Sequence, residues 1–166
     1  FFLPPVPEAT RPPMARLKNG RVLRRFRAEG LGALEVDNGT AWDAKVVLAE
    51  VGVSSSRGAM YVRAGSKATM KGIPEGTYRL AFEFGEGWNK RTGGFDVSHG
   101  AEVFAESATF VETERYDNAG DLWRKGTGFT ITFIRRAQET RRLFRQIRLS
   151  SRSAERSRNM PRWTFV

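Results

Sequence analysis

The sequence predicts an all-β domain, an antiparallel β-sandwich of about seven strands. Residues 72–84 contain a turn built on Pro74 and Gly76, followed by a strand in which every second residue is apolar. Residues 128–134 alternate phenylalanine and isoleucine with threonine in the same way. Such a period of two places one face of a strand on a core and the other in water. Between these segments, turn-forming residues recur at the intervals of about 8–15 residues that separate short strands.

The strands can be placed one by one along the chain. Asn38-Gly39 has the composition of a hairpin turn between the first two strands. The stretch Gly85 to Gly100, which contains Trp88, His99 and the Gly93-Gly94 pair, is expected to be a long polar loop. The seven strands are expected at residues 31–37, 42–51, 59–63, 67–71, 78–84, 101–114 (with a break near 105–106) and 128–134.

The chain divides into three parts by composition. Residues 1–29 are rich in proline and then in arginine, which is typical of an extended linker, with a short amphipathic helix possible within residues 14–29. Residues 30–133 form the β-sandwich domain. Residues 134–166 lose the alternation and are expected to be helical or disordered.

The net charge of +10 is concentrated at the two ends. Residues 134–166 hold ten arginines and two glutamates, and residues 9–28 hold six arginines and one lysine with no acid. The interval 29–133 has eleven basic and fifteen acidic side chains. This distribution indicates a mildly acidic body with basic arms.

Size and composition limit the classes of protein that fit. A chain of 166 residues suggests one domain with flanking segments. The absence of cysteine excludes disulfides, thiolate metal sites and cysteine nucleophiles. Because the sequence begins with Phe1 rather than methionine, it is expected to be a fragment or a processed form of a longer protein.

Several motifs of residues 31–133 resemble one group of proteins. They are Asn38-Gly39-Thr40, Asp43-Ala44, Tyr61-Val62-Arg63-Ala64-Gly65, Ile73-Pro74-Glu75-Gly76-Thr77-Tyr78 and Trp88. In these motifs the chain resembles bacterial PEGA-like and carboxypeptidase regulatory-like (transthyretin-like) modules, which have an immunoglobulin-like β-sandwich fold. The resemblance implies a non-catalytic accessory or interaction domain, outside the cytoplasm and tethered to a membrane. It carries no functional residues over.

The arginine-rich tail departs from this resemblance, since such modules end soon after their last strand. One hypothesis is that the residues after about Phe133 derive from a shifted reading frame. Another is that the tail contacts an anionic partner, either a nucleic acid or an anionic membrane surface. A tail without any partner is a third interpretation. The candidate contacts are Arg135, Arg136, Arg141, Arg142, Arg145 and Arg148.

Catalytic and metal-binding sites are weakly indicated. His99 is the one histidine, so no triad or histidine metal site can be built around it, and a solvated loop residue is the simpler interpretation. The pairs Glu112/Glu114 and Asp117/Asp121 could act as a catalytic acid and base or as oxygen ligands for calcium, but a solvated surface is the simpler interpretation. We therefore predict no catalytic residue, no metal and no cofactor.

Trp88 is the candidate for an exposed aromatic contact with a sugar or an extended peptide. The alternative is a tryptophan that plugs one end of the sandwich. The expected partner is a protein or peptide, bound by loops or by a sheet edge. The alternative function is binding to nucleic acid or an anionic surface through the arginine-rich ends.

Overall fold

The computed structural model describes residues 14–54, 57–134 and 145–146. These residues form eleven strands and no helix, which confirms the all-β prediction. The strands outnumber the predicted seven because residues 21–24, 122–126 and 145–146 also form strands and because the predicted strand at 101–114 divides into two at Val111. They are β1 (Arg21–Arg24), β2 (Gly32–Gly39), β3 (Asp43–Glu50), β4 (Arg57–Val62), β5 (Ser66–Ile73), β6 (Gly76–Asn89), β7 (Gly94–Phe110), β8 (Glu112–Tyr116), β9 (Leu122–Gly126), β10 (Gly128–Ile134) and β11 (Arg145–Gln146).

Two sheets form the sandwich. The first has the strand order β1-β4-β3-β6-β7, and the second has the order β11-β10-β2-β5. The hairpin β8-β9 is a separate two-stranded sheet. All pairs are antiparallel except β2 and β10, which run parallel from Ala33↔Gly128 to Gly39↔Ile134. This parallel pair is the departure from the purely antiparallel sandwich that the sequence predicts.

The core lies between the two sheets and follows the predicted alternation. On β6, Tyr78, Leu80, Phe82 and Phe84 are all buried against β3 and the second sheet. Phe82 and Phe84 pack on Phe133 of β10, with ring centroids 4.8 and 5.1 Å apart. Burying such aromatic side chains supplies much of the stability of a domain of this size.

Asn38-Gly39 does not form the predicted hairpin turn. Both residues belong to β2, and the next strand, β3, lies in the opposite sheet. Asn38 is fully buried where the chain crosses over, and its amide group donates to the carbonyls of Trp42, Val62 and Arg63 at 2.9, 3.3 and 3.2 Å. The buried amide thereby links the start of β3 to the end of β4, a role that an Asn-Gly hairpin turn would not have.

The predicted loop at Gly85 to Gly100 is instead the far end of the β6-β7 hairpin. Pairing continues from Gly85↔Ser98 to Asn89↔Gly94, after a register shift between Phe84 and Gly85. Gly85 is needed because a Cβ there would lie 2.5 Å from the ring of Phe95. The glycines that suggested a loop therefore allow an aromatic ring to pack across the hairpin.

The region assigned to the linker joins the fold from residue 14 onward. β1 pairs with β4 at Arg21↔Tyr61 and Val22↔Met60, where an amphipathic helix was considered. The sandwich therefore begins before residue 30. β7 also ends earlier than expected, at Phe110, and β8 follows after Val111.

The tail is described only in part. β10 ends at Ile134, and Arg145–Gln146 pair with Thr132 and Phe133 as β11, so these two residues are a strand and not the expected helix. The rest of the tail expected to be helical or disordered, together with residues 1–13, lies outside the described residues.

Candidate functional site

The segment before β1 is clamped onto the outer face of the five-stranded sheet. Arg16 Nε donates to Asp43 Oδ2 at 2.8 Å, and its terminal nitrogen forms an ion pair with Asp43 Oδ1. The hydroxyl of Tyr61 also donates to this carboxylate, and Ala64 N donates to it at 2.9 Å. The Asp43 side chain is 5% exposed, so four donors surround a nearly buried charge.

Asn19 fixes the other end of this segment. Its side-chain oxygen accepts from Arg63 N at 2.9 Å, and its amide donates to Lys67 O at 2.8 Å. Arg63 in turn donates through Nε to Leu17 O at 2.8 Å. Asn19 thus joins the end of β4 to the start of β5, and it holds the chain in position where β1 begins.

We call the contacts of Arg16, Tyr61 and Ala64 with Asp43, together with those of Asn19, the clamp. These contacts shift the pKa values of Asp43, Tyr61 and Arg16. Burial raises the pKa of the Asp43 carboxyl, but hydrogen bonds from Arg16, Tyr61 and Ala64 outweigh burial and leave the pKa below 3.8. Burial and the hydrogen bond to Asp43 raise the pKa of Tyr61 to about 12. The hydrogen bond to Asp43 raises the pKa of Arg16 above its usual value. Asp43 is therefore ionised and Tyr61 neutral at physiological pH, as a structural clamp requires.

A groove opens after the clamp, where the chain leaves β1 in the first sheet and leads to β2 in the second sheet. It is lined on one side by Val22 and residues 24–29, and on the other by Met70, Lys71 and Gly72 of β5, and its volume is about 240 Å³. We call it the basic groove. Met70 is 3% exposed and Phe26 packs edge-to-face on Tyr78, so part of the groove wall is apolar core.

The basic groove carries four basic side chains and one acidic side chain. Arg24, Arg25, Arg27 and Lys71 are exposed, and Glu29 is the one carboxylate on its lining. In the part of the chain that the structure describes, none of the four basic groups forms an ion pair. By contrast, Lys67 on the same strand as Lys71 is bound to Asp37 at 3.1 Å. An anionic ligand would therefore meet charges that the described fold leaves available.

No pattern in the sequence marks these residues as a site. The positive charge of residues 9–28 predicts only a basic arm beside the body. What brings Arg24, Arg25 and Arg27 to Lys71 is the docking of residues 14–24, which depends on partners 27 or more positions away, such as Asp43. The spacing of the arginines alone carries no signal of this.

The predicted contacts of the tail lie mostly beyond what is described. Arg135, Arg136, Arg141, Arg142 and Arg148 fall outside the described residues. Arg145 is described as a backbone position in β11, paired with Phe133. Whether these arginines contact an anion stays a prediction.

The prediction of an exposed Trp88 is wrong. Trp88 is 7% exposed and packs edge-to-face on Tyr61 and Phe95, with ring centroids 5.4 and 5.5 Å apart. Its backbone N–H donates to Ala15 O at 2.7 Å, so the clamped segment helps to cover it. It packs beside the clamp on the five-stranded sheet and offers no platform to a sugar or peptide.

His99 lies on β7 rather than in a loop. Its ring stacks on Trp42 at 4.7 Å between centroids, and Nε2 lies 3.4 Å from Glu86 Oε2. Trp42 itself is partly buried and packs against the core. These contacts account for the histidine as a surface packing residue.

The candidate carboxylate pairs have structural roles. Glu112 Oε1 accepts from Leu31 N at 2.7 Å, and Glu114 accepts from Arg124 Nε at 2.7 Å across the β8-β9 hairpin. Asp117 Oδ1 accepts from the backbone N–H of both Ala119 and Asp121 at 2.9 Å, which closes the turn of that hairpin. The loop thus uses its carboxylate to bind its own backbone.

The described residues offer no cluster of metal ligands. They contain no group of three or more histidine, aspartate and glutamate side chains placed to hold a metal ion. They also contain no helix with the length and apolar character needed to cross a membrane.

Comparisons with known proteins give no further guide to the site. No protein-family model, no curated protein and no solved structure matches this chain. The resemblance to PEGA-like and carboxypeptidase regulatory-like modules therefore stays a prediction.

Proposed function

We propose that this chain is a non-catalytic interaction module, whose β-sandwich presents the basic groove to an anionic site on a protein or peptide partner. The observation that carries the proposal is the set of four basic side chains on one groove with no ion pair in the described chain. Arginines are well suited to this role because a guanidinium binds carboxylate or phosphate through two parallel hydrogen bonds.

The rigidity of the groove supports a binding role. The clamp of Arg16 on Asp43 and of Asn19 on Arg63 and Lys67 fixes the chain directly before the arginines. A ligand would meet side chains whose backbone is already ordered, so less conformational entropy is lost on binding.

The roles of the polar groups support a module without catalytic chemistry. His99, Glu112, Glu114 and Asp117 are each engaged in stacking, ion pairing or backbone hydrogen bonds that hold the fold together. Asp43, whose pKa hydrogen bonds lower, and Tyr61, whose pKa burial raises, belong to the clamp. Perturbed groups of this kind also arise in structural ion-pair networks.

A second candidate function is binding to nucleic acid or to an anionic membrane surface. It is favoured by the arginine content of both ends, because residues 134–166 add ten arginines to those of the groove. Such binding would depend on charge alone and would weaken steeply as salt rises.

The proposal extends to location. We place the module outside the cytoplasm of a bacterium, tethered to a membrane through the proline-rich segment, as the family resemblance implies. Protease digestion of intact cells that express the complete gene would test this. A module that resists the protease until the cytoplasmic membrane is broken would contradict a position outside the cytoplasm, periplasmic or cell-surface, and one released with the cytoplasmic fraction would contradict tethering.

The groove is tested by charge removal in the full chain. We would compare retention on heparin at rising salt for the parent and for a triple variant, Arg24→Gln, Arg25→Gln and Arg27→Gln. The matched control is Arg79→Gln, Arg91→Gln and Arg115→Gln, which removes the same charge from exposed positions elsewhere. Deleting residues 1–29 would not serve, since this would remove β1 from the sheet.

We expect the groove variant to lose about two to three units of slope in the plot of log K against log salt, and the control less than one. Equal losses in both variants would show that binding follows total charge and not the groove. An unchanged groove variant would contradict the proposed function.

A further inference from the structure

On the side of β5 that faces away from β2, no backbone hydrogen bond from Thr69 or Lys71 to another described residue is formed. Ala33 N donates away from β5, to Thr127 O on the β10 side, at 3.1 Å. On β5 itself, Lys67 O points away from β2, because it accepts a hydrogen bond from the Asn19 amide at 2.8 Å. Since backbone groups alternate sides along a strand, residues 66, 68 and 70 bond to β2. The N–H and C=O of Thr69 and Lys71 therefore point away from β2, and Lys71 also lines the basic groove.

This free edge has closed ends. At one end the Asn19 amide donates a hydrogen bond to Lys67 O, and at the other end Gly30 N donates to Gly72 O at 3.3 Å. Between them, β5 pairs with no other described strand than β2, and it does so in unbroken register from Ala33↔Lys71 to Asn38↔Ser66. A short stretch centred on Thr69 to Lys71 is therefore a regular strand edge.

The two edges of the five-stranded sheet, β7 and β1, are poorer templates than the β5 edge of the four-stranded sheet. β7 is bulged twice, between the partners Arg79/Ala81 and between Phe84/Gly85. It also places Glu102 opposite the core residue Phe82. β1 has four residues and its own register shift. Bulges and inward-facing charges are devices that prevent strands from pairing at an edge.

The charge around the β5 edge selects what can pair with it. Arg24, Arg25, Arg27 and Lys71 would repel a basic strand, including one from a second copy of a chain with a net charge of +10. An acidic strand would gain from the same charges. The groove wall adds Val22, Phe26 and Met70, against which every second side chain of an added strand can pack.

We infer that the basic groove binds an extended acidic peptide of a protein partner, which adds as a strand to the β5 edge at Thr69 and Lys71. The backbone of the peptide pairs with β5, its carboxylates lie against the arginines, and its alternate apolar side chains face Phe26 and Met70. This inference rests on the proposed function and names the partner. It favours a peptide over nucleic acid, because a phosphate backbone has no amides to pair with a strand.

The probe is a five-residue peptide that alternates glutamate and valine, blocked at both ends and labelled for fluorescence anisotropy, which matches the stretch between Lys67 and Gly72 at about 3.3 Å per residue. Two further versions carry N-methyl groups on alternate amides, one version in each register. The key variant of the full chain is Thr69→Pro, which removes an edge N–H but no charge, and Thr69→Ala is its matched control. Proline is tolerated on an edge strand when its N–H would point away from the sheet.

We expect the parent and Thr69→Ala to bind the peptide alike, and Thr69→Pro to bind at least tenfold more weakly while keeping its retention on heparin. One N-methyl register should abolish binding and the other should not. If Thr69→Pro fails to fold, as judged by far-ultraviolet circular dichroism, the two N-methyl registers still decide the question.

The outcomes separate the inference from the proposed function. Equal binding of both N-methyl peptides would show that charge alone acts, which overturns strand addition and leaves the groove in place. Binding of a short single-stranded DNA but not of the peptide would overturn the choice of partner. If the triple arginine variant binds both the peptide and heparin as well as the parent does, the proposed role of the basic groove is overturned.

Discussion

The hydroxyl of Tyr61 on β4 donates a hydrogen bond to the carboxylate of Asp43 on the adjacent strand β3. Arg16, from the segment that precedes β1, completes the contact from outside the sheet. One carboxylate thereby ties the N-terminal segment to two neighbouring strands. The basic groove follows directly after this tie, so the stability of the clamp and the order of the groove are linked.

Replacement of Asp43 by asparagine should destabilise the fold. Asp43→Asn keeps the size of the side chain but removes the charge that Arg16 and Tyr61 face, and we expect a loss of about 1–3 kcal/mol. The measurement is the free energy of unfolding in urea. The control is Asp37→Asn, which disrupts the more exposed pair with Lys67 and should cost about 0–1 kcal/mol. Equal losses would mean that the clamp is no stronger than a surface ion pair.

Stability should fall at alkaline pH through Tyr61. Its pKa is raised to about 12, so the neutral phenol is favoured in the folded state. The stabilisation is complete below the unfolded value of about 10 and is lost as the pH rises from 10 to 12. Absorbance titration of the phenolate should show one tyrosine that ionises near pH 12 and is missing from Tyr61→Phe. If the variant retains that late step, the assignment to Tyr61 is wrong.

At acid pH the sign reverses for Asp43. Its folded pKa is depressed, so its contribution is present above the unfolded value near 4 and is lost as the pH falls through the lower folded pKa. Urea unfolding between pH 5 and pH 2 should show a steeper loss of stability for the parent than for Asp43→Asn. Parallel curves for the two proteins would contradict the depressed pKa.

Removal of the Asn38 side chain should be costly, although asparagine is polar. Asn38→Ala would leave the carbonyls of Trp42, Val62 and Arg63 without their shared donor in a fully buried place. We expect the free energy of unfolding to fall by about 1–3 kcal/mol. Asn118→Ala, at an exposed turn position, is the control and should change stability by less than about 0.5 kcal/mol. Thermal unfolding of the two variants gives the comparison.

Gly58 and Phe26 should be coupled. A Cβ on residue 58 would lie 2.4 Å from the Phe26 ring, so Gly58→Ala should displace that ring from the core and cost about 1–3 kcal/mol. In a Phe26→Ala background the added methyl group has room, and its cost should fall by at least about 0.5 kcal/mol. A double-mutant cycle in urea measures the difference. Additive effects would show that the ring is not what limits residue 58.

The sequence identified the strands whose side chains alternate, because alternation reports directly on which face is buried. Phe82 and Phe84 on β6 and Ile131 and Phe133 on β10 were recognised on this basis, and all four are core residues. The pattern is local, so a single stretch of chain suffices to read it.

The features that were missed depend on residues far apart in sequence. Trp88 was assigned to a loop because glycines flank it, yet Gly85 is small so that Phe95 can pack across the hairpin. Asn38 looked like a turn residue, but its acceptors Val62 and Arg63 lie 24 and 25 positions away. Arg24 and Lys71 come together only through the docking of β1. No local pattern records such pairings.

The parallel pairing of β2 with β10 has a consequence for synthesis of the protein. Ala33 and its neighbours leave the ribosome early, whereas their partners from Gly128 onward leave near the end of the described chain. Until then the nascent chain must hold an apolar strand, β2, with one side unmatched. Contacts between such distant segments form slowly and expose the growing polypeptide to aggregation. We therefore expect β2 to need protection, by chaperones or by rapid translation, until β10 has been synthesised.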